Sequence, residues 1–320
     1  MIMPAREFSR RHILFQGQYG SVSTMTTPDT VVFVGLGQMG LPMAKRCIAA
    51  GFKVRGADLS APARDAFTAA GGEAFASGRE AARGASLLIT MLPDSKIVRE
   101  AVLGEQGVAD VLAKNALIID MSSSVPVDTQ ALGKDLAARG IALIDAPVSG
   151  GVRRAVDGTL SIMAGGDAAL VERAKPVLQA MAKSVFATGP LGSGHAMKAL
   201  NNYVSAAGLV AACEALLVGR RFGLQPETVI DVLNASTGKN NSTDVKMKQF
   251  VISETFASGF SLGLMAKDLR IAADLSRLVG LEHSNAETIA ALWEQAKAAL
   301  ESNADHTDIY RFIASAIHDR

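Results

Sequence analysis

The sequence predicts an α/β domain built on a mostly parallel sheet, followed by an all-α domain, with one long helix joining the two. Three observations predict this. From residue 31 to about 187, short apolar runs rich in β-branched residues alternate with alanine-rich segments of helical length. After Gly192 that alternation stops, and segment after segment has helical length with almost no strand pattern. The first apolar run passes directly into a glycine-rich turn that opens a helix, "VVFVGLGQMGLPMA".

Taken in order, the strand-like runs lie at 31–35, 53–58, 87–92, 117–120, 141–146, 160–164 and 184–187. Most are apolar without alternation, as expected of strands covered on both faces. Segments 41–50 and 127–139 read as helices, and Gly51 and Gly140 stand where C-cap glycines belong. Strand–helix–strand repetition implies helices on both faces of the sheet. Beyond Gly192, helices are expected at 195–222, 226–235, 243–253, 264–280, 285–302 and 308–317. The domain limits are therefore expected at 30–192 and 193–320. Residues 1–29 read as a disordered extension, with basic residues but no long apolar core of a secretory signal.

Composition excludes several classes. Apolar residues make up 49% and charged residues 20% of the 320, enough for a sizeable core. Thirty-two basic residues against 31 acidic ones give a net charge of +1, with no broad footprint for nucleic acid or an anionic membrane. No 18-residue apolar run occurs; the longest candidate, 204–218, is interrupted by Glu214, so no membrane-spanning helix is expected. The two cysteines, Cys47 and Cys213, fit no metal-ligand spacing, and no metal is expected. Their usage suits a reducing compartment, and a cytoplasmic location is expected.

The glycine-rich turn is a G-x-G-x-x-G motif spanning Gly35, Leu36, Gly37, Gln38, Met39 and Gly40. Its place between a strand and a helix marks a Rossmann-type dinucleotide-binding domain. Gly35 permits the tight turn, Gly37 lets backbone approach a pyrophosphate, and Gly40 lets helix and strand pack closely. The helix N-terminus then offers free N–H groups and partial positive charge to the phosphates. Asp58 ends the second strand, where a carboxylate accepts from an adenosine ribose and repels a 2′-phosphate. NAD is thus expected ahead of NADP, with Arg55 and Arg64 as the groups that could accommodate the phosphate instead.

Seven segments, "FVGLGQMGLPMA", "TMLPD", "DMSSS", "DAPVSGG", "GTLSIMAGG", "GSGHAMKALNN" and "LMAKDLRIA", occur in the order found in the β-hydroxyacid dehydrogenases, and residues 31–317 resemble that family. The resemblance implies an NAD-dependent oxidoreductase acting at C3 of a small 3-hydroxy acid. It implies that Lys198 is the catalytic acid/base and that Asn202, one helical turn on, orients substrate and lysine. It assigns Ser149, Gly150 and Gly151 to the substrate carboxylate, for which two exposed backbone N–H groups and a hydroxyl are apt donors. It places Leu92, Pro93, Ser123 and Lys267 against the cofactor, with Asp268 steadying its helix and His195 a neighbour of the lysine. It further implies a homodimer or homotetramer paired through the helical domain.

Two stretches depart from the family pattern: Arg153 with Arg154, and 238–248, "GKNNSTDVKMK". One reading is that these groups hold a second polar end of the substrate; the other is a solvated surface turn. Two rival functions stay open beside the main one. An imine reductase of the same superfamily is disfavoured by the retained Lys198 and Asn202, since those enzymes usually replace the lysine. A non-catalytic dinucleotide-binding module would keep the glycines and lose Lys198.

Overall fold

A computed structural model describes residues 30–316; the extension expected at 1–29 and the last residues, 317–320, lie outside the described residues. The first part runs β1 (Thr30–Val34), α1 (Gly40–Ala49), β2 (Lys53–Ala57), α2 (Ala61–Thr68), β3 (Glu73–Phe75), α3 (Gly78–Ala81), β4 (Leu87–Thr90), α4 (Ser95–Leu103), β5 (Leu117–Asp120), α5 (Pro126–Ala137), β6 (Ala142–Asp145), β7 (Val148–Ser149), α6 (Gly151–Asp157), β8 (Leu160–Gly165), α7 (Ala168–Met181) and β9 (Ala182–Gly189). The second part holds α8 (Ser193–Phe222), α9 (Pro226–Ala235), a π-helical segment (Ser242–Ile252), α10 (Leu262–Leu278), α11 (Asn285–Ala299) and α12 (Ile309–Ser315).

The strands order β3-β2-β1-β4-β5-β6 in parallel, and β8 then pairs antiparallel with β6 and β7 and parallel with β9. Chain order reverses at β1, which lies between β2 and β4. Such a reversal marks the place, at the carboxyl ends of the strands, where sheets of this kind take their ligands in a crevice. Alternate residues of β1 explain the unbroken apolar runs. Val31 and Phe33 join one buried cluster and Val32 and Val34 the other, so both faces of the strand are covered.

Two strands escaped the sequence reading, and each has a reason. β3 is three residues long and largely uncovered, and β7 is two residues long, too short for any periodicity. The antiparallel setting of β8 is a matter of chain path, which local pattern does not carry.

The helical part packs a separate core around the fully buried Trp293. Its central helix, α8, is long and apolar enough to cross a membrane by length and composition, but 50% of that window is buried inside the protein. The N-terminal half of α8 instead packs on β8, β9, β6 and α5, which ties the two parts together.

Candidate active site at the crevice

The glycine turn has the shape its sequence requires. A methyl group added at Gly40 would run into the carbonyl oxygen of Gly35, and one at Gly35 into the carbonyl of Met91. The turn is thus pressed against the loop after β4. At Gly37, by contrast, an added Cβ meets nothing within 4 Å, so this face of the loop is open. Helix α1 has Met39 as its N-cap residue, with no side-chain cap and no acid in its first turn. A bare helix N-terminus beside an open glycine is what a pyrophosphate needs, so these residues fit a dinucleotide.

Asp58 stands at the end of β2, with Oδ2 accepting from the backbone N–H of Leu36 at 2.7 Å and Oδ1 from that of Ser60 at 2.8 Å. The carboxylate is thereby held at the lip of the glycine turn. Arg64 donates to the carbonyls of Asp58 and Leu59, and Arg55 donates to that of Arg83 and pairs with Glu73.

Helices α8 and α10 bring the remaining charged groups together. Lys267 Nζ donates to the carbonyl oxygens of Pro93 at 2.7 Å and Ser123 at 2.8 Å, which places α10 against the loops after β4 and β5. Its neighbour Asp268 is buried and accepts from Asn202 Nδ2 at 2.6 Å. Asn201 donates to Asn202 Oδ1 at 3.2 Å, so the Asn202 amide is fixed at both ends. Lys198 lies one turn before Asn202, half-buried. Burial pushes its amine below the usual lysine range; the carboxylate of Asp268 works against that shift, and the Lys267 ammonium adds to it. Burial likewise lowers Lys267, with Asp268, Asp94 and Asp120 opposing. Asp268 itself is raised by burial, against the pull of both lysines.

The Ser149–Gly151 turn has its own geometry. Ser149 pairs with Ser161 of β8, and Gly150 and Gly151 take φ of +132° and +66°, a backbone that L side chains rarely adopt. Among the described residues no hydrogen bond joins the turn to Lys198 or Asn202. Arg153 and Arg154 are exposed on α6, and the Arg154 stem covers Gly150.

Several organising groups were missed in the sequence. Asp145 ends β6 fully buried; its carboxylate accepts from the backbone N–H groups of Gly192 and His195, each at 2.7 Å, and so caps the otherwise uncapped start of α8. Burial pushes this carboxyl above the usual range, and those N–H bonds and His195 oppose it. Asp120 ends β5 and binds Thr90, Ser122 and Ser124. His195 is clamped between Thr129 Oγ1 at 2.9 Å and the Ser122 carbonyl at 3.1 Å, so its ring is a pin between α5, α8 and the loop after β5. The signal was present: "LIID" at 117–120 and "ALID" at 142–145 are each an apolar run closing on an acid at the sheet's ligand edge.

Comparison with known proteins follows this geometry. Residues 30–189 match the NAD binding domain of 6-phosphogluconate dehydrogenase, and 192–313 match the NAD-binding domain of NADP-dependent 3-hydroxyisobutyrate dehydrogenase. The chain is 36% identical to 2-(hydroxymethyl)glutarate dehydrogenase of Eubacterium barkeri, over 77% of this chain and 81% of that one. It is 33% identical to 3-sulfolactaldehyde reductase of Escherichia coli, over 87% and 94%. The structure of Mycobacterium tuberculosis 3-hydroxyisobutyrate dehydrogenase with L-serine superposes with a TM-score of 0.82 at 32% identity, covering 89% and 99%.

Proposed function

Since the chain belongs to the β-hydroxyacid dehydrogenase family, we propose that it acts at C3 of a small 3-hydroxy acid with Lys198 as the proton-transfer group. It is an NAD(P)-dependent oxidoreductase acting on CH–OH. The observation that carries the lysine's role is its setting: a half-buried amine of lowered basicity beside Asn202, Asp268 and Lys267, at the crevice the cofactor loops define.

The nicotinamide cofactor, when bound, supplies the hydride chemistry. The chain supplies placement. Gly35, Leu36, Gly37, Gln38, Met39 and Gly40 hold the pyrophosphate with backbone N–H groups, and Leu92, Pro93, Ser123 and Lys267 flank the nicotinamide end. Ser149, Gly150 and Gly151 hold the substrate carboxylate. In oxidation, neutral Lys198 accepts the proton of the C3 hydroxyl; in reduction, its ammonium returns a proton to the carbonyl oxygen. The Asn202 amide, held by Asp268, has an N–H left to orient that oxygen.

NAD is the proposed cofactor. Asp58, held at the lip of the glycine turn, supports a contact with the ribose hydroxyls, and the guanidiniums of Arg55 and Arg64 are engaged with backbone carbonyls. A homodimer or homotetramer is proposed through α8, whose outer face exposes Met197, Leu200, Val204, Val218 and Phe222 in one stripe; a monomeric mass by light scattering would overturn this. The domain limits are proposed at 30–192 and 193–320; the family matches to 30–189 and 192–313 support a division near there. A cytoplasmic location is proposed from the two free, buried cysteines, Cys47 and Cys213, and cell fractionation tests it.

The deciding experiment measures initial rates with NAD and NADP against 3-hydroxyisobutyrate, L-serine, 2-(hydroxymethyl)glutarate and, in reduction, 3-sulfolactaldehyde. Lys198→Ala is expected to lose about 10²- to 10⁴-fold in kcat while cofactor affinity and circular dichroism hold. Retained turnover in that variant would remove Lys198 from the chemistry.

A further inference from the structure

The segment 238–248 carries three lysines. Two are neutralised at the surface, Lys239 by Asp244 and Lys248 by Asp231. Lys246 is different. It turns inward, half-buried, and its Nζ donates to Ser205 Oγ of α8 at 3.1 Å. Among the described residues no carboxylate lies within ion-pair distance of it. Asp305 is in its surroundings, but both oxygens of that carboxylate are engaged by Ser258, with Gly259, Phe260 and Thr307 adding further bonds. The other titratable groups facing Lys246 carry no charge at neutral pH: burial pulls His306 down to about 4 and pushes the Cys213 thiol up to about 12. Burial also lowers the Lys246 amine to about 8, against the pull of the Asp305 carboxylate.

Its position gives this a direction. Ser205 lies seven residues after Lys198, with Asn201 and Asn202 between, so all four share one face of α8. Seven residues are about 10 Å along a helix axis. The Lys246 amine therefore closes the far end of the face on which the proton-transfer lysine stands.

We propose that Lys246, with Ser205, forms a subsite for a second oxyanion on the substrate. The substrate class is then a 3-hydroxy acid that carries another carboxylate or sulfonate beyond the reacting carbon. This inference rests on the assignment of Lys198 made above. An incoming oxyanion would supply the partner that a half-buried ammonium lacks, and Ser205 would add a hydroxyl donor.

The test compares 2-(hydroxymethyl)glutarate with 3-hydroxyisobutyrate on the wild-type enzyme and on Lys246→Met, which keeps the stem and removes the charge. In the wild type, kcat/KM is expected to favour the dicarboxylate. In the variant, its KM is expected to rise about 10- to 100-fold with kcat nearly unchanged, while the monocarboxylate shifts by less than about threefold. Lys246→Arg is expected to restore part of the preference. An equal loss for both substrates with a lowered Tm would mean that Lys246 only pins the π-helical segment to α8, and would overturn the subsite. Turnover of both acids with no wild-type preference would overturn it as well, leaving Lys198 in place. No turnover of any 3-hydroxy acid would overturn the underlying assignment along with it.

Discussion

Asn202 Nδ2 stands 2.6 Å from Asp268 Oδ2, a buried bond that joins α8 to α10 beside Lys198. The carboxylate has two effects: it aims the amide, and it offsets part of the burial that lowers the Lys198 amine. Asp268→Asn removes the second effect. Lys198 then becomes a weaker base still. Under the role proposed for Lys198, oxidation needs the neutral amine, so kcat/KM is expected to rise with pH through the Lys198 titration, and that limb is expected to move to lower pH. With the amide less well aimed, the plateau is expected to fall about tenfold. A pH–rate profile in the oxidative direction checks both, and an unmoved limb would count against the coupling.

Lys267 acts on the same titration with the opposite sign. Its ammonium adds to the lowering of Lys198, and it donates to the carbonyls of Pro93 and Ser123. Lys267→Met is expected to move the oxidative limb to higher pH. It should also weaken cofactor binding about tenfold, since two carbonyls lose a charged donor. Cofactor titration by fluorescence, run beside the pH profile, separates the two effects.

The glycines of the turn are expected to separate stability from binding. Gly40→Ala places a methyl against the Gly35 carbonyl and should cost about 1–3 kcal/mol of stability. Gly37→Ala meets open space and should leave stability within about 0.5 kcal/mol. Its cost should appear in cofactor affinity, about tenfold, because the methyl occupies the approach to the pyrophosphate. Urea denaturation and cofactor titration of both variants decide the matter; a Gly37→Ala protein with unchanged affinity would contradict it.

Asp145 serves as the cap of a helix it does not belong to. Asp145→Ala leaves the N–H groups of Gly192 and His195 buried without their acceptor and should cost about 2–4 kcal/mol. Hydrogen exchange should speed up first at residues 192–196. Protection unchanged there would show that water or another group replaces the carboxylate.

Local pattern carried a great deal. The strands 117–120 and the helix 226–235 are read from sequence at the bounds the structure has, and the glycine turn falls between strand and helix as its spacing requires. Lys198 and Asn202 are one turn apart on any helix, so their shared face was legible before a fold was known. Such features depend on residues a few positions apart, and backbone geometry alone fixes their relation.

What only the tertiary structure decided is which distant groups meet. Asn202 and Asp268 are 66 residues apart, and Lys267 reaches across 174 residues to Pro93. Asp145 accepts from Gly192, the N-cap residue of α8, 47 residues later, and Lys246 reaches Ser205 from 41 residues away. No periodicity records these pairings, because each depends on how sheet and helices pack. The sequence determined a dinucleotide turn, a lysine–asparagine face and a helical second half. Packing decided the rest: the burial that lowers the Lys198 amine, the carboxylate that moderates it, and the one lysine of 238–248 turned inward to α8.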